Sequence, residues 1–289
     1  MTGPTARDPR GRVHLAVHRD PASGVESVGL TAPLFQEDWQ DEIAAAAAST
    51  AHGTLARATT LEAVVALARN AMAATSRLIE GLLARAPAGA VACRAGCAHC
   101  CYQSVGVTPA EALAIFDHLS QTLVEADLQR VAARVAAARA RTRGLSAAER
   151  FSPEYPCPFL DEASARCTIY DVRPLSCRGM NSLDAAECER RLRDADARAA
   201  FLATGVGSRS FMEPIRAFHA VSAGLQLGVA ELHGLDMRPL DLAGALDLLF
   251  SGPASLPDDW IAGGKPFESA LSHDGADGAS GLRDLSGRL

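Results

Sequence analysis

The stretch Cys93-Arg94-Ala95-Gly96-Cys97-Ala98-His99-Cys100-Cys101 places four thiols close together in the sequence. The four other cysteines of the chain follow at near-regular intervals: Cys157, Cys167, Cys177 and Cys188. All cysteines therefore lie between residues 93 and 188, and the rest of the chain has none. This clustering indicates that the remaining segments hold a cysteine-rich centre in place.

The composition predicts a mostly α fold. Hydrophobic residues make up 48% of the chain and charged residues 21%, which is ordinary for a soluble protein. Only 5% of the residues are aromatic while alanine is abundant, and this favours closely packed helices over a large sheet. We therefore expect a helical domain closed around a cysteine-rich metal-binding loop, with a short N-terminal β-hairpin.

Charge and hydropathy exclude some partners. The net charge is -6, the pI is about 5.8 and the arginines form no dominant basic block, so we expect no nucleic-acid partner. The N-terminus lacks the apolar core of a signal peptide, and no uncharged apolar run reaches the roughly 18 residues of a membrane span, so we expect no membrane partner and a cytoplasmic protein. Thiols are kept reduced in that compartment, so clustered cysteines favour metal binding over disulfides or unliganded buried thiols.

Three segments are predicted along the chain: an N-terminal arm (1–36) with a possible hairpin, a helical metal-binding domain (37–250) with its cysteine core at 90–190, and a partly disordered C-terminal segment (251–289). Helical spacing of apolar residues predicts helices over 38–48, 60–85, 117–143, 184–202 and 211–232. Thr108-Pro109-Ala110-Glu111 has the pattern of a capping box, so a helix is predicted to start there and to continue through 117–143. Residues 151–179 contain four prolines and read as an extended loop that a metal site would fix.

The eight thiols suffice for two metal centres, since four thiolates form either a closed zinc site or the ligand set of one cubane-type cluster. Cys100 and Cys101 are adjacent, so their side chains diverge and suit one compact centre poorly. We therefore expect them to serve two neighbouring centres that the later cysteines complete. An iron-sulfur cluster is the preferred cofactor and zinc is the alternative. The predicted metal ligands are Cys93, Cys97, Cys100, Cys101, Cys157, Cys167, Cys177 and Cys188.

Two arginines lie beside these cysteines and are predicted to bind the cofactor. The guanidinium of Arg173 or Arg178 could offset the negative charge of a thiolate cluster or clamp a carboxylate substrate. For Arg173 the simpler interpretation is a pairing with Asp171 or with loop carbonyls, because a proline-rich loop leaves carbonyls that need donors. His99 could replace a thiolate, but with eight thiols available we expect it beside the ligands.

The spacing Cys93-x3-Cys97-x2-Cys100 is also the one with which radical S-adenosylmethionine enzymes hold a cluster that has one open iron. Those enzymes place the motif after the first strand of a β/α barrel. Here an Ala/Gly-rich segment precedes the motif and predicted helices surround it. This interpretation is therefore the minor one.

The whole pattern resembles the CxxCxxCC cysteine-cluster family, also called YkgJ-type, which is described as putative zinc- or iron-chelating proteins. The residues that carry the resemblance are Gly96-Cys97-Ala98-His99-Cys100-Cys101, Cys157-Pro158-Phe159-Leu160 and the stretch from Cys167 to Arg178. Flagellin lysine N-methylases carry related cysteine motifs. The resemblance covers roughly residues 90–190 and implies a metal-chelating core; it does not transfer methylase activity, because no matching cofactor or substrate motif lies outside the core.

Two classes of function follow. In the first, an eight-cysteine centre of iron-sulfur type supports a redox or substrate-modifying reaction, with an S-adenosylmethionine-dependent protein lysine methyltransferase as a minor variant. In the second, the chain is a zinc-binding structural or metal-delivery module without catalysis. Phosphate-binding, dinucleotide-binding, nucleophile-elbow and His-Glu-x-x-His motifs are all missing from the sequence, so the catalytic residues and the substrate or protein partner are left open.

Overall fold

The computed structural model describes residues 14–19, 26–31, 38–87, 89, 91–204 and 209–272. It is mostly helical, as the composition predicted. The helices are α1 (Asp38–Leu55), α2 (Leu61–Leu83), α3 (Pro109–Thr122), α4 (Glu125–Thr142), α5 (Ala147–Arg150), α6 (Leu175–Gly179), α7 (Ala185–Arg193), α8 (Ala195–Thr204), α9 (Met212–Gln226), α10 (Leu242–Ser251) and α11 (Leu256–Ile261). Within the described ranges, none of these helices combines the length and the apolar character needed to cross a bilayer.

The strands are short and pair in antiparallel fashion. They are β1 (His14–Arg19) with β2 (Glu26–Thr31), β3 (Gly106–Val107) with β6 (Leu240–Asp241), and β4 (Leu160–Asp161) with β5 (Arg166–Cys167). The first pair confirms the predicted N-terminal hairpin, with His14 opposite Thr31 and Arg19 opposite Glu26.

Abundant alanine allows α1 and α9 to approach closely. A Cβ atom added at Gly224 of α9 would lie 2.1 Å from the carbonyl oxygen of Ala44, and one added at Gly228 would lie 2.8 Å from that of Ala48. Ala44 and Ala48 are themselves fully buried. A residue with any side chain at either glycine would force the two helices apart.

The central core lies where α2, α3, α9 and α10 meet. Met72, Ile115 and Leu246 are among its fully enclosed side chains. The core continues beyond residue 250, since Trp260 and Phe267 are buried in the same cluster. Trp260 also donates its indole N–H to the carbonyl of Asp236 at 2.8 Å.

Thr108 begins α3 through the predicted capping box. The Glu111 amide donates to the Thr108 hydroxyl at 3.3 Å, and the Thr108 amide donates to the Glu111 carboxylate at 2.9 Å. The same helix was predicted to continue to residue 143, and this is wrong: Leu123 and Val124 are extended, with ψ of 142° and 154°. A new helix begins at Glu125, where acidic residues of the first turn favour the positive N-terminal end.

The helix predicted over 184–202 is likewise two helices. Asp194 is extended, and its side chain accepts hydrogen bonds from the amides of Asp196 and Ala197 at 2.9 and 3.1 Å. It therefore ends α7 and caps the start of α8.

The proline-rich segment 151–179 is less irregular than predicted. It contains the β4–β5 hairpin, a 3₁₀ turn at Tyr170–Val172 and the short helix α6, which carries Cys177 and Arg178. Ala165 closes the hairpin in a left-handed conformation with φ of 53°. The disorder predicted for the glycine-rich C-terminal stretch falls on residues 273–289, which lie outside the described part of the chain.

Candidate metal centre

The first cysteine stretch turns sharply at Gly96. Its φ of 85° lies in the left-handed region, which glycine adopts without strain. The Cys97 amide then donates to the carbonyl of Arg94 at 3.0 Å, and a 3₁₀ turn follows at His99–Tyr102. This compact path brings Cys93, Cys97 and Cys100 to one wall of a cavity.

The cavity is the larger of the two described clefts and spans about 590 Å³ when the solvent space at its mouth is included. We call it the cysteine cavity. Four thiols line it, together with aromatic, thioether and polar side chains: Cys93, Cys97, His99, Cys100, Gln103, Phe151, Met180, Asn181, Ser182, Cys188, Arg191, Phe201 and Ser210. Cys188 reaches it from α7, so the cysteine that lies farthest along the sequence joins the first stretch in space.

Two hydrogen-bond donors, one backbone amide and one guanidinium group, point at thiols that line the cavity. The Ser182 amide donates to the Cys93 sulfur at 3.3 Å, and Nη2 of Arg191 lies 3.3 Å from the Cys188 sulfur. The Arg191 guanidinium is held in place by the ring of Phe201, 4.4 Å from its centroid. Donors of this kind stabilise thiolate ligands and orient them.

Three later cysteines form a second group beside Cys100. The segment starts at Cys157, whose amide donates to the carbonyl of Cys101 at 2.8 Å. Cys167 lies on β5 opposite Leu160, and Cys177 lies on α6. Backbone pairing thus carries the proline-rich segment back to the first cysteine stretch.

The thiols of this group perturb one another. Burial raises the pKa of Cys157 to about 12, and Cys177, Cys167 and Cys100 add to the rise. Burial also raises the pKa of Cys177 to about 12, with Cys100 the next contributor. Burial and, to a smaller extent, mutual repulsion thus oppose the thiolate form of these cysteines, and a bound cation would offset that cost.

We therefore distinguish two sets. The outer set is Cys93, Cys97 and Cys188, and all three line the cysteine cavity. The inner set is Cys100, Cys157, Cys167 and Cys177, and of these only Cys100 lines the cavity. Cys101 lines no part of it; the neighbouring Cys101 thiol and burial raise the pKa of Cys100 well above its ordinary value.

Arg173 lies beside the inner set, and its role in binding a cofactor stays a prediction. Its guanidinium stacks on the ring of Tyr170 at 4.1 Å from the centroid, rather than pairing with Asp171 or a loop carbonyl as the simpler interpretation held. Nε of Arg173 is buried and has no hydrogen-bond partner among the described residues. Burial raises the pKa of Cys167, and the positive charge of Arg173 opposes this rise.

Arg178 is buried and acts on the loop backbone. Its Nε donates to the carbonyl of Arg173 at 2.9 Å, its Nη2 donates to the carbonyl of Asp171 at 2.7 Å, and its Nη1 bonds the hydroxyl of Ser76. Burial lowers its pKa to about 10. Arg178 thus holds the turn between Cys167 and Cys177; direct contact with a cofactor stays a prediction.

Sequence reasoning missed Arg191, Ser182 and Glu111. Arg191 follows Cys188 by one helical turn, so its spacing could have revealed it. Ser182 acts through its amide, which no side-chain pattern shows. Glu111 was recognised as part of a capping box, but its second oxygen also accepts from the Leu175 amide at 2.8 Å, at the start of the helix that carries Cys177.

The donor set fits a thiophilic metal. Thiolates are the ligands that zinc and iron-sulfur centres prefer, and all eight cysteines are free thiols. Across the described ranges no three His, Cys, Asp or Glu side chains already stand in coordinating geometry. The assignment therefore rests on the chemistry of the eight thiol donors.

The comparison with known families agrees with this chemistry. Residues 92–195 match the model of the CxxCxxCC family, described as a putative zinc- or iron-chelating domain. The match includes every cysteine of the chain and spans about a third of its length. No curated protein and no solved structure matches the chain. Residues 92–195 are thus similar to the CxxCxxCC domain, and the description of that family supports a zinc- or iron-chelating role for them.

Proposed function

We propose that this chain is an iron-sulfur protein whose outer set holds a cluster at the cysteine cavity, where it supports a redox or substrate-modifying reaction. The observation that carries the proposal is that Cys93, Cys97 and Cys188 line one cavity, beside Cys100, which we assign to the inner set. Three thiolates are one fewer than a cubane-type cluster needs for its irons. The remaining iron would be open to a small molecule in the cavity, and that open position is the chemistry that the cluster supplies when bound.

The protein groups around the outer set suit this role. The Ser182 amide and the Arg191 guanidinium each donate to a thiol of the set, so they would stabilise its thiolate form. Arg191 is only 8% exposed, which strengthens its interaction with a thiolate by excluding water. These two donors are positioning groups for Cys93 and Cys188.

The lining of the cavity also suits an organic substrate. Phe151, Phe201 and Met180 offer apolar surface, and the rings of Phe151 and Phe201 meet edge to face at 5.8 Å. The Gln103 amide and the His99 imidazole also line the cavity. A few polar groups on a mostly apolar wall are typical of small-molecule sites.

The inner set has a different role in the proposal. Its four thiols would close around one metal without an open position, and the metal would fix residues 151–179 against the first cysteine stretch. The enclosed position of Cys157 and Cys177 also favours the second candidate function, a zinc-binding structural or metal-delivery module. In that case both sets would hold zinc and the chain would catalyse nothing.

A pair of cysteine variants tests the proposal. Cys188→Ser and Cys177→Ser would be purified without oxygen, and iron, zinc and acid-labile sulfide would be measured on each. We expect C188S to lose the iron and sulfide of the outer set while it keeps the inner metal and its fold. We expect C177S to lose the inner metal and to unfold more easily. Equal metal loss in both variants would contradict the division into two sets, and zinc without sulfide in the wild type would favour the second candidate.

A further inference from the structure

A second, narrower cleft contains an unbalanced group of charges. Nη1 of Arg150, on α5, donates to Oδ1 of Asp241, and Nη1 of Arg139, on α4, lies 3.7 Å from Oδ2 of the same carboxylate. The three side chains are 14%, 13% and 5% exposed. Two guanidinium groups therefore share one carboxylate in a largely buried place.

The carboxylate of Asp241 also caps the start of a helix. Its Oδ2 accepts a hydrogen bond from the Gly244 amide at 2.8 Å and so caps α10. The positive end of the helix thus competes with the two arginines for the same carboxylate. No other acidic side chain lines the cleft.

The guanidinium groups form a few further hydrogen bonds, but some of their N–H groups have no protein partner among the described residues. Nη2 of Arg139 donates to the carbonyl of Ser269 at 2.5 Å, and Nη1 of Arg150 is within 3.4 Å of the Ser104 hydroxyl. Nε and Nη2 of Arg150 have no hydrogen-bond partner in the part of the chain that the structure describes. The hydroxyl residues Ser104, Thr142 and Ser272 line the same cleft.

We propose that this cleft binds a small oxyanion, with Arg150 and Arg139 as its anchors. Two guanidinium groups against one carboxylate leave one positive charge unbalanced, and a guanidinium fork matches the oxygens of a phosphate or a carboxylate. The cleft shares no lining residue with the cysteine cavity. The site is therefore independent of the metal centre and of the function proposed for it.

The test is a calorimetric titration of the full-length, metal-loaded protein. Sodium phosphate and sodium acetate would be titrated separately, with sodium chloride holding the ionic strength constant. Wild type should bind at least one of them saturably, and the tighter of the two identifies the anion as phosphoryl or carboxylate. Arg150→Gln and Arg139→Gln should each weaken binding about tenfold, since one charged hydrogen bond is lost. Arg141→Gln, an exposed change on the same helix, should bind as wild type does.

Asp241→Asn should change the affinity for the oxyanion in the opposite direction. Asparagine keeps the cap on Gly244 but removes the competing charge, so the affinity for the oxyanion should rise. If the three residues were only a structural ion pair, D241N would lower the melting temperature with no gain in affinity. That result would overturn the proposal, as would wild-type titrations that do not saturate or that R150Q and R139Q leave unchanged.

Discussion

The carboxylate of Glu111 accepts a hydrogen bond from the amide of Leu175 at 2.8 Å, although the two residues lie far apart in the chain. The other oxygen of the same carboxylate accepts from the Thr108 amide and hydroxyl, both at 2.9 Å. Glu111 is only 4% exposed. One buried side chain thus joins the start of α3 to the start of α6, where Cys177 lies.

Replacing Glu111 should loosen both helix starts. We expect Glu111→Ala to lower the free energy of unfolding by about 2–4 kcal/mol, because buried amides of Thr108 and Leu175 lose their acceptor. Glu149→Ala is the matched control, since Glu149 forms the same capping box with Ser146 on the surface. Its loss should cost less than about 1 kcal/mol. Urea denaturation measures both, and equal costs would contradict the linking role.

Glu111 should also make stability depend on pH. Burial raises its pKa above the ordinary value of 4.5, although its hydrogen bonds oppose the rise. The folded state therefore holds the proton more tightly, so its contribution is complete below pH 4.5 and is lost as the pH rises through the folded-state pKa.

The Glu111→Gln variant has no such proton to lose. We expect the unfolding free energy of E111Q, relative to wild type, to increase as the pH rises above 4.5. Denaturation of metal-free protein over a series of pH values measures this difference without interference from metal release. A difference that stays flat, or that falls with rising pH, would contradict a raised pKa for this buried carboxyl.

Gly179 ends α6 directly against α9. A Cβ atom at this position would lie 2.0 Å from Cδ1 of Phe218. We expect Gly179→Ala to lower the free energy of unfolding by about 1–3 kcal/mol, because the crowded ring must move. Gly81→Ala on α2 meets nothing within 4 Å and should raise the stability by up to about 1 kcal/mol. Thermal unfolding of the two variants should therefore shift in opposite directions.

The three hydrogen bonds of Arg178 should stabilise the fold even in the metal-free protein. Lysine carries a single nitrogen and cannot reach Ser76, Asp171 and Arg173 together, so we expect Arg178→Lys to lower the free energy of unfolding by about 2–4 kcal/mol. Arg193→Lys, on a 70% exposed side chain, should change it by less than about 0.5 kcal/mol. Both would be measured with and without chelator. A loss for R178K only in the metal-loaded protein would show that Arg178 serves the cofactor instead of the loop.

Local patterns predicted much of the fold. The capping box at Thr108, the helical periodicity of α2 and the N-terminal hairpin all depend on residues close in sequence. The breaks at Leu123 and Asp194 were missed because the apolar periodicity continues across them. Asp194 carried a signal in its own residue type, since aspartate is a favoured helix cap.

The arrangement of the cysteines within the site was harder to predict from the sequence. Eight clustered thiols predicted a metal-binding core, and the family match confirms that core. The division into outer and inner sets follows from long-range contacts such as that between the Cys157 amide and the Cys101 carbonyl. The pairing of Arg150 with Asp241 is likewise a long-range contact. Neither contact can be predicted from the spacing of residues along the chain.

The central claim is that the cysteine core holds an iron-sulfur cluster, and one anaerobic preparation of the wild-type protein tests it most directly. Its absorption spectrum would be recorded, and iron, zinc and acid-labile sulfide would be determined on the same sample. We predict broad visible absorption with iron and sulfide in matching amounts, and a spectral change when a small molecule enters the cysteine cavity. A colourless protein with stoichiometric zinc and no sulfide would contradict the claim.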